Sequence, residues 1–198
     1  MTMPAGLDRL KAELERFGRE HDASATERSA RLLNITRDTG QFLALLVRAT
    51  RAAGIVEVGT SNGYSTLWQA EATIATGGRV VTVERAAHKV EQARRTFERS
   101  GLAGRIELMH DEAAAVLARL PDASVDLLFL DSERSQYLAW WPRVRALIRP
   151  GGLLVVDNAV SHATEMAPFI AAVEADDAFT TSLVPVGKGE FLAVREPL

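Results

Sequence analysis

The sequence contains no cysteine. Without a thiol the chain can form no disulfide, no cysteine nucleophile and no cysteine-ligated zinc site. Any bound metal ion must therefore rest on oxygen or histidine ligands, which favours a hard cation. Histidine is scarce as well, since the chain has 4, and none of them stands at the spacing of a histidine metal site.

The sequence also lacks an apolar run long enough to cross a membrane or to form the core of a signal peptide. It lacks a basic cluster too, because its lysines and arginines are mixed with acidic residues and the net charge is -3. We therefore expect a cytoplasmic protein that acts on a small molecule, with no nucleic-acid or membrane partner.

The composition is that of an ordinary globular domain. The chain has 198 residues, of which 47% are apolar and 25% charged, and one domain of this length can bury a sizeable core. No internal repeat or linker divides it. We expect a single domain over 1–198, with a helical cap over about 1–50 and a core over 51–198.

Short apolar runs alternate with helical stretches from residue 55 onward, which is typical of a parallel sheet covered on both faces. The expected strands are 55–58, 80–83, 106–108, 125–130 and 153–156, followed by a hairpin of 179–183 and 190–194. The expected helices are 7–19, 41–51, 64–76, 86–100, 112–119, 136–148 and 164–175. The fold class is therefore α/β, a Rossmann-like, doubly wound, mostly parallel sheet of about seven strands with a C-terminal antiparallel hairpin.

A glycine-containing turn follows the first of these strands. The sequence there reads Glu-Val-Gly-Thr-Ser-Asn-Gly-Tyr-Ser over 57–65. Gly59 and Gly63 carry no Cβ, so the backbone can approach a ligand closely. A dinucleotide fingerprint would require glycine in place of Ser61. A nicotinamide-dependent oxidoreductase is therefore a weaker hypothesis for this turn.

Glu84 ends the next strand, about 20 residues beyond the glycine turn, where a carboxylate can accept both hydroxyls of a ribose. Taken alone, a glutamate at a strand end is as often a solvated surface charge. Together with the glycine turn, it indicates a cofactor that contains adenosine.

Two further strands end in polar residues, namely Asp131 and the pair Asp157-Asn158. Ligands of open α/β sheets bind at the carboxyl ends of the strands, so these side chains are placed to converge. Two carboxylates and an amide oxygen suit Mg²⁺, Mn²⁺ or Ca²⁺. The alternative is that the two aspartates only cap the helices that follow.

In this order, the motifs resemble those of the cation-dependent O-methyltransferases, a family that includes catechol O-methyltransferase, the caffeoyl-CoA O-methyltransferases and their short bacterial relatives. The resemblance covers about 38–195. Besides the glycine turn it rests on 131–137, Asp-Ser-Glu-Arg-Ser-Gln-Tyr, which is similar to the family's Asp-Ala-Asp-Lys-x-Asn-Tyr. The hairpin turn Pro-Val-Gly-Lys-Gly at 185–189 also matches.

The resemblance implies an S-adenosylmethionine cofactor, a divalent cation, a homodimer and a catechol-like or other vicinal dihydroxy acceptor. It implies Asp131, Asp157 and Asn158 as cation ligands, and we expect Asp131 and Arg134 to be the catalytic residues. The residues expected around the cofactor are Glu57, Gly59, Thr60, Ser61, Ser65, Glu84, Arg85, Ala113, Asp131 and Glu133.

Arg134 is the main departure from the family, which has lysine at this position. A guanidinium keeps its proton at ordinary pH, so Arg134 cannot be a general base. It can still orient an anionic acceptor or neutralise a phenolate. A metal-independent methyltransferase and a non-catalytic S-adenosylmethionine-binding protein therefore stay open as alternatives.

Three other residues invite a functional role that the pattern does not favour. Trp140 and Trp141 lie on an expected helix, where aromatic side chains usually pack in the core. His162 follows the Asp157-Asn158 pair, and we expect it at the surface rather than in the site.

Overall fold

The computed structural model describes residues 6–197, without the side chain of Arg28. Positions 1–5 and 198 of the expected domain lie outside the described residues. The helices are α1 (Leu7–Ser24), α2 (Arg37–Ala49), α3 (Tyr64–Thr76), α4 (Ala87–Ser100), α5 (Ala113–Arg119), α6 (Tyr137–Leu147) and α7 (Ala163–Glu174). The strands are β1 (Gly54–Val58), β2 (Arg79–Glu84), β3 (Ile106–His110), β4 (Val125–Leu130), β5 (Ile148–Val156), β6 (Phe179–Val184) and β7 (Glu190–Arg195).

All seven strands form one sheet in the order β3-β2-β1-β4-β5-β7-β6. The first five are parallel to one another, and β7 pairs antiparallel with both β5 and β6. The expected fold class is confirmed. Because the order reverses direction between β1 and β4, the loops that follow these two strands border a crevice at the carboxyl edge of the sheet.

Successive residues of the central strands face opposite sides of the sheet, and each side is buried. On one side Leu127 and Phe129 pack with helices α1 to α4, and on the other Leu128 and Leu130 pack with helices α5 to α7. This two-sided burial explains why the strands are continuous apolar runs rather than alternating ones.

Three elements differ from the expected bounds by four residues or more, and the others by at most two. Helix α2 begins at Arg37 rather than 41, because the Thr36 side chain caps it by accepting a hydrogen bond from the backbone N–H of Thr39 (3.2 Å). Helix α1 continues past 19 to Ser24. Strand β5 begins at Ile148 rather than 153, because Ile148 pairs with Val125 across an irregularity in the register.

None of the helices among the described residues is both long and apolar enough to span a bilayer.

Candidate active site

A cavity of about 660 Å³ opens at the carboxyl edge of the sheet, within the usual range of about 300–1,000 Å³ for small-molecule sites. Its walls come from the segments that follow the five parallel strands β1 to β5, from the stretch before α2, and from the β6–β7 turn. The lining residues include most of the expected cofactor residues, namely Gly59, Thr60, Ser61, Ser65, Glu84, Arg85, Ala113, Asp131 and Glu133.

Gly59 occupies the point of closest approach between the β1 and β4 loops. Its φ is +108°, and a Cβ there would lie 2.0 Å from the backbone oxygen of Asp131. No other residue fits without moving one of the two loops. The two loops are also tied directly, because the Asp131 N–H donates to the Val58 carbonyl oxygen at 3.0 Å. The glycine turn therefore sets the position of Asp131.

Glu84 holds the turn from the other side. Its Oε2 accepts the backbone N–H of Ser61 at 2.9 Å, and its Oε1 accepts the backbone N–H of Ala86 at 2.9 Å. Each carboxylate oxygen keeps a second lone pair for a ligand hydroxyl. Ser61 itself has a φ of +49° and donates its hydroxyl to the Leu32 carbonyl oxygen at 2.7 Å.

Glu57 lies behind the cavity wall and is not one of the described residues that line it. Its side chain is fully buried and accepts hydrogen bonds from Thr66, from Gln69 Nε2 (2.7 Å) and from Thr82 Oγ1 (2.6 Å). Burial raises the pKa of Glu57, and these hydrogen bonds oppose the rise. Glu57 thus joins β1 to α3 and β2 beneath the turn, and its contact with a cofactor stays a prediction.

Asp131, Asp157 and Asn158 converge as the sequence predicts. The Asn158 Nδ2 donates to Asp131 Oδ1 at 3.1 Å and to Asp157 Oδ2 at 2.9 Å. Asp157 is 2% exposed and is not among the described residues that line the cavity. The helix-capping alternative is wrong, because α6 and α7 begin several residues further on, after Gln136 and His162.

The Asp131 carboxyl is hard to ionise in this cluster. Burial and the neighbouring Asp157 raise the pKa of Asp131 to about 8, while the positive charges of Lys188 and Arg134 oppose the rise. Like charges in a buried space favour the protonated form of at least one acid. If all of its acids were ionised, the cluster would carry more negative charge than its surroundings offset.

Glu190 is a third acid of this cluster that sequence reasoning missed. It is fully buried, its Oε1 accepts the Thr39 hydroxyl at 2.9 Å, and burial next to Asp157 raises the pKa of Glu190 to about 9. Its Oε2 is a buried atom without a hydrogen-bond partner among the described residues. The sequence offered one sign that Glu190 could belong to the site, because this carboxylate begins an otherwise apolar strand directly after the turn 187–189.

Arg134 lines the cavity, and its side chain is 10% exposed. Its Nε donates to Glu165 Oε2 at 2.7 Å, which anchors the guanidinium to α7. The Tyr137 hydroxyl, which accepts the Ser132 N–H at 2.6 Å, fixes the turn between Asp131 and Arg134. The two expected catalytic residues thus face one cavity.

Two of the residues that the sequence did not favour belong to the site. His162 and Trp140 both line the cavity, so the expectation that His162 lies outside the site was wrong. Trp140 also packs against the buried core, as expected of an aromatic side chain on this helix. Trp141 is buried against Phe169 and Phe179, as expected of a core residue. Helix α6 presents one tryptophan to each side, because neighbouring positions on a helix point about 100° apart.

No group of three or more histidine, aspartate or glutamate side chains within residues 6–197 is arranged to hold a metal ion. The candidate cation ligands are two carboxylates and one amide, and the amide currently presents its N–H group to both acids.

Comparison with known proteins agrees with this geometry. The O-methyltransferase family model matches residues 11–196. A catechol O-methyltransferase of Niastella koreensis is 30% identical over 153 residues, which cover 73% of this chain and 69% of that protein. A catechol O-methyltransferase of Mycobacterium tuberculosis is 34% identical over 144 residues, and the match covers 73% of this chain and 62% of that protein, less than two thirds of its length.

Among solved structures, the O-methyltransferase from Bacillus cereus in complex with SAH superposes with a TM-score of 0.80 at 26% identity, covering 96% of this chain and 91% of that one. Fold, cavity and sequence therefore lead to the same assignment, and the chain belongs to the O-methyltransferase family.

Proposed function

We propose that this chain transfers a methyl group from S-adenosylmethionine to one hydroxyl of a small catechol-like or other vicinal dihydroxy compound, with the help of a divalent cation. The observation that carries the proposal is that Asp131 and Asn158, with Asp157 bonded to Asn158, meet at one end of a cavity whose other end holds the glycine turn and Glu84.

The cofactor half of the cavity supports S-adenosylmethionine. The Bacillus cereus relative is bound to SAH, the product that remains when S-adenosylmethionine has lost its methyl group. In this chain Glu84 would accept the ribose hydroxyls, and Arg85 and Ala113 would border the adenine. The residues proposed around the methionine part are Gly59, Thr60, Ser61 and Ser65. A nicotinamide cofactor has no support beyond the Rossmann-like sheet.

The order of the strands places cofactor and acceptor side by side. Glu84 ends β2, Gly59 follows β1, Asp131 follows β4 and Asn158 follows β5, and these strands are consecutive neighbours in the sheet. A cofactor with its ribose at Glu84 and its methionine part at Gly59 would direct its sulfonium methyl toward Asp131. The far end, over β4 and β5, is left for the acceptor.

The reaction is a displacement at the methyl carbon. The acceptor oxygen forms the new C–O bond, the C–S bond breaks, and the electron pair of that bond stays on sulfur, which becomes neutral. The acceptor hydroxyl gives up its proton to solvent water in the open cavity, so that no side chain of the site has to take it. Most of the catalytic work is to hold oxygen, carbon and sulfur in line, and the anchored β1 and β4 loops provide that rigidity.

Two features of the cluster would suit a divalent cation. Asp131, Asp157 and Glu190 are buried or half-buried acids in one place, and burial next to one another raises the pKa of Asp131 and of Glu190, which the charge of a bound cation would lower again. Rotation of the Asn158 amide about its last side-chain bond would present its oxygen in place of its nitrogen. A cation held by Asp131, Asp157 and Asn158 would supply Lewis acidity, which lowers the pKa of an acceptor hydroxyl.

Arg134 would act as a charge stabiliser rather than as a base. Its guanidinium faces the cavity next to Asp131 and keeps its proton. A phenolate that forms beside Asp131 would be stabilised by this fixed positive charge.

The test is methyl transfer to catechol, measured after chelation and again after Mg²⁺ is restored, together with calorimetric titration of S-adenosylmethionine. We expect cofactor binding in both states and transfer only with Mg²⁺. Equal transfer rates in the two states would overturn the role of the cation. Cofactor binding without any transfer would support the non-catalytic alternative.

One observation favours a metal-independent methyltransferase as the second candidate. The Asn158 amide nitrogen already donates hydrogen bonds to both Asp131 and Asp157, so these two carboxylates are linked without a cation. The same chelation experiment separates the two candidates.

The homodimer and the cytoplasmic location stay predictions. Sedimentation of the purified protein would test whether it is a homodimer.

A further inference from the structure

We infer that the acceptor carries an anionic group, such as a carboxylate on the dihydroxy ring, and that Lys188 binds this group. The inference rests on the proposed function, because it names the class of acceptor that the methyl-transfer site selects.

The backbone at Lys188 is fixed by hydrogen bonds to a neighbouring loop. Lys188 lies in the β6–β7 turn, and its carbonyl oxygen accepts the N–H groups of Val160 (3.2 Å) and Ser161 (3.0 Å). The next carbonyl, of Gly189, accepts the N–H of Ala159 at 2.8 Å. The turn is therefore held against the loop that begins with Asn158, one of the proposed cation ligands.

The glycines on both sides of Lys188 let the turn fit this narrow space. A Cβ on Gly187 would lie 2.1 Å from Thr39 Oγ1, and a Cβ on Gly189 would lie 2.3 Å from Val160 Cγ2. Both glycines also have positive φ, +58° and +92°. Of residues 187–189, only Lys188 has a side chain, and Lys188 lines the cavity.

The strand order places this lysine at the acceptor end. Strand β7, which leaves the turn, pairs with β5, whereas Glu84 ends β2 on the other side of β1 and β4. Lys188 and Glu84 therefore lie on opposite sides of Asp131. The charge of Lys188 acts directly on the Asp131 carboxyl, next to which the methyl acceptor would bind.

The charges at the two ends of the cavity differ. At the cofactor end, Lys89 and Arg85 share the cavity wall with Glu84 and Glu112. At the acceptor end, Arg134 is paired with Glu165, but no ion pair joins Lys188 to another residue between 6 and 197.

In the ligand-free protein Lys188 offsets part of the charge of Asp131. With all three acids ionised, a divalent cation and a sulfonium would balance their three negative charges, so the ammonium of Lys188 would be surplus positive charge until the acceptor hydroxyl loses its proton. An anionic acceptor would balance it, because a buried or half-buried charge is stable only with a partner. A neutral acceptor would leave it unpaired, and a cationic one would be repelled.

The experiment compares three catechols that differ in charge: 3,4-dihydroxybenzoate, catechol itself and 4-(2-aminoethyl)catechol. For each we would measure kcat and KM at saturating S-adenosylmethionine and Mg²⁺. We expect kcat/KM to fall about tenfold from the anionic to the neutral acceptor, the usual size for a hydrogen bond to a charged group, and to fall further for the cationic one. The difference should lie in KM rather than in kcat.

Two variants of Lys188 test its role. Lys188→Gln should reduce the ratio of kcat/KM between the anionic and neutral acceptors to nearly one, and Lys188→Arg should retain it. Lys89→Gln is the matched control, a lysine of the same cavity at its cofactor end, and it should leave this ratio as in the wild type.

Calorimetric binding of the same three compounds to the SAH-bound protein gives a second readout that needs no turnover. Tighter binding of the benzoate, lost in Lys188→Gln, is expected. Equal binding of the anionic and neutral catechols, or an unchanged preference in Lys188→Gln, would overturn the inference even if catechol is methylated. If catechol binds but no compound is methylated, the proposed function fails instead.

Discussion

The two ends of the cavity are built in different ways. The proposed cofactor end comes mainly from one continuous stretch, 58–89, in which a glycine turn and Glu84 are joined through backbone N–H groups, and residues 111–113 complete its wall. The acceptor end is assembled from segments far apart in the chain, namely Thr39, Asp131, the pair 157–158 and the turn 187–190. The first is a local motif, whereas the second exists only once the sheet has formed.

The electrostatics follow the same division. At the cofactor end the Glu84 carboxylate accepts two backbone N–H groups. At the acceptor end three acids share a buried space, and the pKa values of Asp131 and Glu190 rise to about 8 and about 9. We therefore expect substitutions at the first end to change cofactor affinity, and substitutions at the second to change turnover and its dependence on metal and pH.

Asp131→Asn should have the largest effect on activity. The substitution keeps the shape of the side chain but removes the carboxylate at the centre of the acceptor end, and we expect kcat to fall about a thousandfold, as for loss of one key electrostatic group. Cofactor affinity, measured by calorimetry, should change by less than about threefold. Asp122→Asn, at an exposed ion pair with Arg143, should keep wild-type activity. A thousandfold loss of cofactor affinity in Asp131→Asn would contradict the division into two ends.

Gly59→Ala should have the largest effect on stability, because Gly59 touches both ends. Its new Cβ would meet the Asp131 backbone oxygen, and we expect a loss of about 3 kcal/mol in the free energy of unfolding. Gly77→Ala is the matched control, since its φ is also positive (+76°) but nothing lies within 4 Å of the added Cβ. It should cost only about 1 kcal/mol. Equal urea midpoints for the two variants would show that the contact with Asp131 does not matter.

Glu84→Gln should weaken S-adenosylmethionine binding about tenfold, the size expected for charge-assisted hydrogen bonds to ribose hydroxyls. The kcat at saturating cofactor should change little. Calorimetry of cofactor binding and the KM for S-adenosylmethionine both measure the effect. Glu112→Gln, at another carboxylate of the same end, is the comparison, and an equal loss in both variants would argue for a general charge effect.

The pH dependence of stability should reveal the acid cluster. Folded Asp131 and Glu190 keep their protons up to about pH 8 and 9, whereas in the unfolded chain these acids ionise near pH 4. The unfolded state therefore binds fewer protons between pH 4 and 8, and metal-free stability falls as pH rises, by at most about 1.4 kcal/mol per pH unit and proton. Urea midpoints at several pH values should fall less steeply for Asp131→Asn. Parallel curves would show that Asp131 does not titrate in this range.

The sequence predicted the local parts of the molecule well. The alternation of apolar strands and helices gave the sheet, and the bounds of α3 and β4 agree with the structure to the residue. The start of α2 was placed four residues late, because the capping interaction of Thr36 with Thr39 has no apolar signal.

At the site as well, the features that depend on local sequence were predicted, and those that depend on tertiary packing were not. Asp131, Asp157 and Asn158 could be placed together because each follows a parallel strand, and such ends share one edge. Glu190 and Lys188 lie on the antiparallel hairpin, whose position next to β5 cannot be inferred from a short periodic pattern. His162 and Trp140 depend on the direction in which a loop or helix turns its side chains, which is a property of tertiary packing.

The hydrogen bond between Thr39 and Glu190 joins positions 151 residues apart, and its consequence concerns the order of synthesis. The glycine turn and Glu84 leave the ribosome early, so the nascent chain can fold its cofactor end before the β6–β7 hairpin has been synthesised. The acceptor end is completed only when 187–190 have emerged and closed against α2. Contacts of such long range form late and slowly in folding. A newly made molecule should therefore acquire affinity for its cofactor before it can select what it methylates.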